Sequence, residues 1–140
     1  MIRIDLIKVE IPPKGVHLLV EGKLDEKPLR LVIDTGASRS VLDYNYLQEN
    51  HRELELMGGD SYSTGVGSSG MQNYTVHLSK LKLGELLISD LEAVVMDLEH
   101  VIQSYIQIDQ PPIYGIIGGD ILDRYQVSID YKKQQLILPD

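Results

Sequence analysis

An acid stands at the end of an apolar run in Leu31-Val32-Ile33-Asp34, and small residues follow it in Thr35-Gly36-Ala37-Ser38. A carboxylate beside such a run loses hydration, and its charge persists only where backbone N–H groups or hydroxyls point at it. Gly36 offers a close backbone donor, which makes Asp34 the candidate for acid–base chemistry. Asp34 also reads as the first residue of an Asx-type turn at a strand end, and the bare triplet does not choose between the two.

The glycines of Gly65-Val66-Gly67-Ser68-Ser69-Gly70 are the next concentration of unusual residues. They form either a hairpin tip that closes over an extended peptide or an ordinary surface loop. A phosphate cradle fits poorly, since no Lys-Ser/Thr follows and no helix opens after Gly70. His17, His51, His77 and His100 are scattered with no His-x-x-x-His pair, so neither a metal nor a cofactor is expected. The absence of Cys removes disulfides, Cys-ligated metals and thiol nucleophiles. With 13 Lys+Arg against 21 Asp+Glu the formal charge is −8, a field that repels phosphate backbones and anionic lipid surfaces. Neither nucleic acid nor membrane is the expected partner.

These residues need a scaffold, and 140 residues at 43% hydrophobic and 24% charged suit one domain over 1–140. No secretory signal and no apolar run of membrane-spanning length is visible, so a cytoplasmic location is expected. Residues 2–11 alternate with a period near two and one slip, as at a bulge or bend. Residues 16–22 and 29–33 form a hairpin about a polar turn at Asp25-Glu26-Lys27-Pro28, and its return arm delivers Asp34. A short strand over 40–42 precedes a helical turn capped by Asp43. Extended segments at 61–83 and 86–96 are separated by a turn at Gly84-Glu85. Leu98, Val101, Ile102 and Tyr105 have the spacing of a short amphipathic helix behind an Asp97 cap. A helical fragment over 119–125 and strands at 127–131 and 134–138 complete the chain. Many short strands with one to three short helices predict a mainly β barrel rather than a βαβ sheet.

Taken together, Asp34-Thr35-Gly36 with its aliphatic approach, Gly65-Val66-Gly67 about thirty residues on, and Ile116-Ile117-Gly118-Gly119-Asp120-Ile121-Leu122 resemble the retropepsin-like aspartic proteases. The resemblance extends over most of the chain, roughly residues 16–138, with its specific motifs in those three places. It implies a closed six-stranded barrel in which Ile116, Ile117 and Gly118 form a second hydrophobic-Gly motif beneath the Asp34 loop. It further implies Asp34 as the catalytic carboxylate and Gly65, Val66 and Gly67 as a flap over a peptide or protein substrate, with no cofactor. Tyr62 is then either a flap aromatic or a solvent-facing strand residue. The chain holds one such triplet, so a pair of carboxylates requires a homodimer about a two-fold axis. In the family, the Thr35 hydroxyls would tie the two loops together and the Gly36 N–H would hold the carboxylates coplanar.

Departures from the family pattern carry expectations of their own. Pepsin-like members place a hydroxyl at the Ala37 position that donates to the catalytic carboxylate. Its absence favours the protonated form and predicts a weakly acidic optimum. Ser38 supplies either a supporting hydrogen bond or plain turn stabilisation, and Arg39 is expected to pair with Asp120 or Asp123. Gly119 stands where retroviral members often carry Arg. The segment 97–112 is longer than in a minimal retroviral domain and either covers the site or builds a different interface. Val66, Ile113 and Ile116 suggest a preference for apolar substrate side chains. Two further readings remain: an inactive barrel that binds peptides or mediates dimerisation, and a monomeric regulatory barrel in which the triplet is a structural turn.

Overall fold

Period-two patterning becomes strand wherever alternate residues meet a core, and the computed structural model, which describes residues 1–58 and 73–140, shows where that happens. The strands are β1 (Ile2–Asp5), β2 (Ile7–Ile11), β3 (Gly15–Leu24), β4 (Lys27–Ile33), β5 (Val41–Asp43), β6 (Met57–Gly58), β7 (Tyr74–Leu78), β8 (Leu81–Leu83), β9 (Leu86–Ile88), β10 (Leu91–Met96), β11 (Gly115–Ile117), β12 (Ser128–Asp130) and β13 (Gln135–Leu138). Three short helices accompany them among the described residues, α1 (Tyr44–Asn50), α2 (Glu99–Ile106) and α3 (Gly119–Arg124). The large sheet runs β6-β7-β10-β5-β11-β4-β3-β8-β9 with β2 added on β3, and β1-β13-β12 forms a small second sheet. The expected mainly β architecture is observed. Among the described residues, however, the large sheet is an open ladder ending at β6 and β9, and neither sheet closes into a barrel.

The slip in the first strand pattern is a change of sheet rather than a bulge. β1 pairs antiparallel with β13, β2 pairs antiparallel with β3, and Leu6 between them is buried with its N–H donating to Gln134 O at 2.8 Å. The two long extended segments likewise divide, between β7 and β8 at 79–80 and between β9 and β10 at 89–90. The β3–β4 hairpin turns on Asp25 and Glu26, both at positive φ (48° and 71°), as a two-residue loop of the mirror-type turn requires.

Both faces of the large sheet are covered, which explains why the run into Asp34 is continuously apolar. Val20, Leu31, Leu42, Val95 and Ile117 pack on one side. Leu19, Val41, Ile102, Tyr105 and Ile113 pack on the other. Asp43, only 2% exposed, caps α1 as expected, its Oδ2 accepting from Tyr46 N at 2.9 Å and its Oδ1 from Leu98 N at 2.8 Å. That second bond shifts the start of α2. Leu98 becomes the N-cap residue, and Asp97 accepts from Glu99 N at 2.8 Å one step outside the helix.

His51 closes α1, its N–H donating to Leu47 O, and its ring is 2% exposed with Nδ1 3.6 Å from a Glu53 carboxylate oxygen. Burial lowers its pKa below the usual 6.5, with Glu53 and Asp25 opposing and Lys27 reinforcing the shift. The folded chain therefore resists a proton that the unfolded chain accepts near pH 6.5, so stability is intact above that pH and is lost as pH falls below it. Denaturation midpoints are expected to drop between pH 7 and pH 5, and His51→Gln should flatten that part of the profile; an unchanged slope in the variant would refute the assignment.

Candidate active site

Parallel pairing of β4 with β11 sets Gly115 opposite Leu31, Ile116 opposite Val32 and Ile117 opposite Ile33. The ladder continues one step, Asp34 N donating to Ile117 O at 3.0 Å, and there the strand ends. This approach needs glycine, because a Cβ on Gly115 would lie 2.8 Å from a Leu31 methyl and 2.9 Å from Val41 O. Past the strand the chain turns on itself. Gly36 N donates to Asp34 Oδ1 at 2.9 Å and Ala37 N to Asp34 O at 3.1 Å, so the donor expected from Gly36 is present. Asp34, Thr35, Gly36 and Ser38 are exposed and Ala37 is half-buried. The Asx-type turn and the presented carboxylate are thus one arrangement, since the Gly36 N–H that makes the turn also fixes the acid.

The loop is anchored from below through Ser40, which sequence reasoning passed over as a site residue. Ser40, 3% exposed, donates through Oγ to Asp120 Oδ1 at 2.7 Å and through its N–H to Asp120 Oδ2 at 2.9 Å. The same Oγ accepts from Gly118 N at 2.9 Å, and Gly119 N donates to Ala37 O at 2.7 Å. A Cβ on Gly118 would sit 2.7 Å from Ala37 O and 2.8 Å from Arg39 O, so only glycine lets the two backbones meet. The second hydrophobic-Gly motif therefore lies directly against the Asp34 loop.

Several expectations are corrected. Arg39 does not reach Asp120, whose oxygens are taken by Ser40 and by Ile121 N at 2.8 Å, nor does it pair with Asp123. Its Nη2 instead donates to Glu92 O at 3.0 Å and Glu92 Oε1 at 3.3 Å. No hydrogen bond joins Ser38 to Asp34 among the described residues. Ile113 is fully buried beside Leu19 and Tyr105 and cannot touch a substrate. Gly65, Val66 and Gly67, with Tyr62, lie outside the described residues. β6 and β7 on either side of that stretch pair antiparallel, Met57 opposite Thr75.

One row of registered residues crosses the sheet beside Asp34: Val32, Ile116, Val41, Val94, Thr75 and Met57. The segment 97–112 covers this face. Ile102 and Tyr105 of α2 are buried in the cluster against which Val32, Val94 and Ile116 pack. Tyr105 is tied to β3 by a 2.6 Å contact of its hydroxyl with His17 Nδ1, and burial pushes its pKa up to about 12. Among the described residues no cluster of three or more His, Asp or Glu could hold a metal ion, and no helix is long and apolar enough to cross a membrane.

Against known proteins, residues 20–121 match the sequence model of a family described as aspartyl protease. The fold resembles the retroviral protease-like domain of Ddi1 from Leishmania major, with a TM-score of 0.62 and 19% identity over 89% of each chain. It also resembles a retropepsin-like aspartic protease from Rickettsia conorii, with a TM-score of 0.55 and 18% identity over 98% of this chain and 88% of that one. EIAV protease in complex with the inhibitor HBY-793 is a third, with a TM-score of 0.55 and 20% identity over 87% of this chain and 99% of that one. No curated protein sequence matches the chain.

Proposed function

The chain belongs to the aspartyl protease family, and from that premise we propose that it is an endopeptidase whose nucleophilic water is activated between two Asp34 carboxylates, one from each subunit of a homodimer. The observation that carries this reading is the Asp34 carboxylate itself, exposed at the end of β4 with Oδ1 held by the Gly36 N–H at 2.9 Å. One chain contributes one such acid. Two of them a short distance apart cannot both ionise, and shared protonation in aspartic proteases is a standard example of that coupling.

The ionised Asp34 takes a proton from the water as its oxygen bonds to the scissile carbonyl carbon. The protonated partner's Asp34 gives its proton to the carbonyl oxygen. Collapse of the tetrahedral species breaks the C–N bond: the departing nitrogen takes a proton from the dyad while one hydroxyl of the gem-diol returns its proton to the carboxylates as it becomes the product carbonyl, and the shared proton is restored. Thr35, exposed beside Asp34, would join the two loops across the axis, and Gly65, Val66 and Gly67 would close over the bound peptide.

Sedimentation equilibrium over a wide concentration range at pH 5 and pH 7 tests the reading. A dimer is expected, weakened by Thr35→Ala if the axis passes through the active-site loops. A strict monomer, with or without peptide, would sink the two-chain mechanism.

A further inference from the structure

We propose that Arg39 selects substrates carrying an acidic side chain next to the scissile bond, reading that carboxylate in the cleft bounded by Met57, Tyr74, Thr75 and Val94; the proposal rests on the peptidase reading above. The cleft has a volume of about 420 Å³, and among the described residues that line it Arg39 alone is charged. Topology brings it to the catalytic edge. β4 and β11 run parallel, β5 is antiparallel to β11, and β10 is parallel to β5. The end of β4 that carries Asp34 therefore meets the beginnings of β5 and β10, where Arg39 and Glu92 stand. Val94 N donates to Ser40 O at 3.0 Å, which stitches the cleft wall to the Asp34 loop.

The guanidinium is oriented without being used up. Nη2 is held by Glu92 O and, at 3.3 Å, by Glu92 Oε1, while the other nitrogens have no partner among the described residues. Both side chains of the ion pair are well exposed, 44% for Arg39 and 65% for Glu92, so the pair contributes little and a better-placed carboxylate displaces it. Both two-donor edges of the guanidinium include Nη2, so a carboxylate that displaces Glu92 Oε1 gains a pair of parallel N–H donors, a geometry that it accepts bidentately. Met57 and Val94 supply apolar walls for the stem of that side chain. An exposed cation facing a cleft whose other described lining residues are uncharged is the complement of an acidic residue, not of a basic one.

The test uses fluorogenic peptides that differ only by Asp against Asn at one position flanking the scissile bond, each position in turn. At one position kcat/KM is expected to favour Asp by about tenfold or more. Arg39→Gln should bring that ratio to about one, and Arg39→Glu should shift the preference toward Lys. Glu92→Gln, which removes the competing carboxylate, should raise the Asp/Asn ratio, a gain that a merely structural role for Arg39 would not produce. Equal cleavage of Asp and Asn peptides at every position, or a ratio that survives Arg39→Gln, overturns the proposal. Fluorescence anisotropy of the same peptides on the Asp34→Asn protein separates the two claims. If nothing is cleaved but Asp peptides bind more tightly in an Arg39-dependent way, the peptidase reading falls and the Arg39 site stands. If neither cleavage nor preferential binding occurs, both fall.

Discussion

Replacing Asp34 with Asn is expected to lower kcat/KM for peptide hydrolysis by at least about 10⁴-fold, because the substitution removes the general base and the general acid from the dimer at once. Asn is close to isosteric and keeps an oxygen to accept from the Gly36 N–H, which now lies 2.9 Å from Asp34 Oδ1. The position is exposed, so the denaturation midpoint should move by no more than about 0.5 kcal/mol in stability. Peptide binding should survive. Mixing supplies a sharper result: wild type and the D34N chain, exchanged at equal concentrations, leave only about one quarter of the dimers with two carboxylates. Activity per wild-type chain should then fall to about half, whereas a one-chain mechanism leaves it unchanged. Retained cleavage by the D34N dimer would return the chain to a peptide-binding or dimerisation role.

The Asp34 seat was legible in the sequence because its parts are neighbours in the chain. Strand, acid and glycine donor fall within six residues, and a continuous apolar run has few other uses than a strand covered on both faces. The hairpin at Asp25-Glu26, the Asp43 cap and the positive-φ turn at Gly84 were readable for the same reason, since each is a local hydrogen-bond or φ requirement. What failed depended on partners far away in sequence. Arg39 was assigned to an aspartate that Ser40, 80 residues from it, had already saturated. Ile113 looked like any aliphatic near the second motif, and only the packing of α2 shows that it is sealed in the core. The change of sheet beside Leu6 reads in sequence only as a slip, at a bulge or bend, because alternation reports which face a residue takes and not which sheet it joins. Closure of a barrel is likewise a property of ladder ends, and no strand's own pattern records it.

Ser40→Ala is expected to cost about 3 kcal/mol, the largest effect on stability of any single polar group in the site. The hydroxyl serves two partners, a half-buried carboxylate and a buried N–H. It donates to Asp120 Oδ1 at 2.7 Å and accepts from Gly118 N at 2.9 Å, and Gly118 is packed too tightly against Ala37 O and Arg39 O for its N–H to turn elsewhere. Alanine preserves the Ser40 N–H bond to Asp120 Oδ2 but leaves the Gly118 N–H unsatisfied and weakens the hold on a carboxylate. Ser38→Ala, two residues away and exposed, is the matched control and should shift stability by less than about 0.5 kcal/mol. Urea unfolding with unchanged m-values reads the difference directly. The functional consequence follows from where the bond lies. Ser40 touches no substrate, and its loss frees the loop that Gly118 and Gly119 pin through Ala37, so the carboxylate of Asp34 should wander from its partner. Under conditions where the variant stays folded and dimeric, kcat should therefore fall by up to about 10²-fold with KM little changed, since small misplacements of reacting groups are costly to rate but not to binding. Equal stability losses at Ser38 and Ser40, or a defect confined to KM, would mean that the second hydrophobic-Gly motif supports the sheet without governing the placement of Asp34.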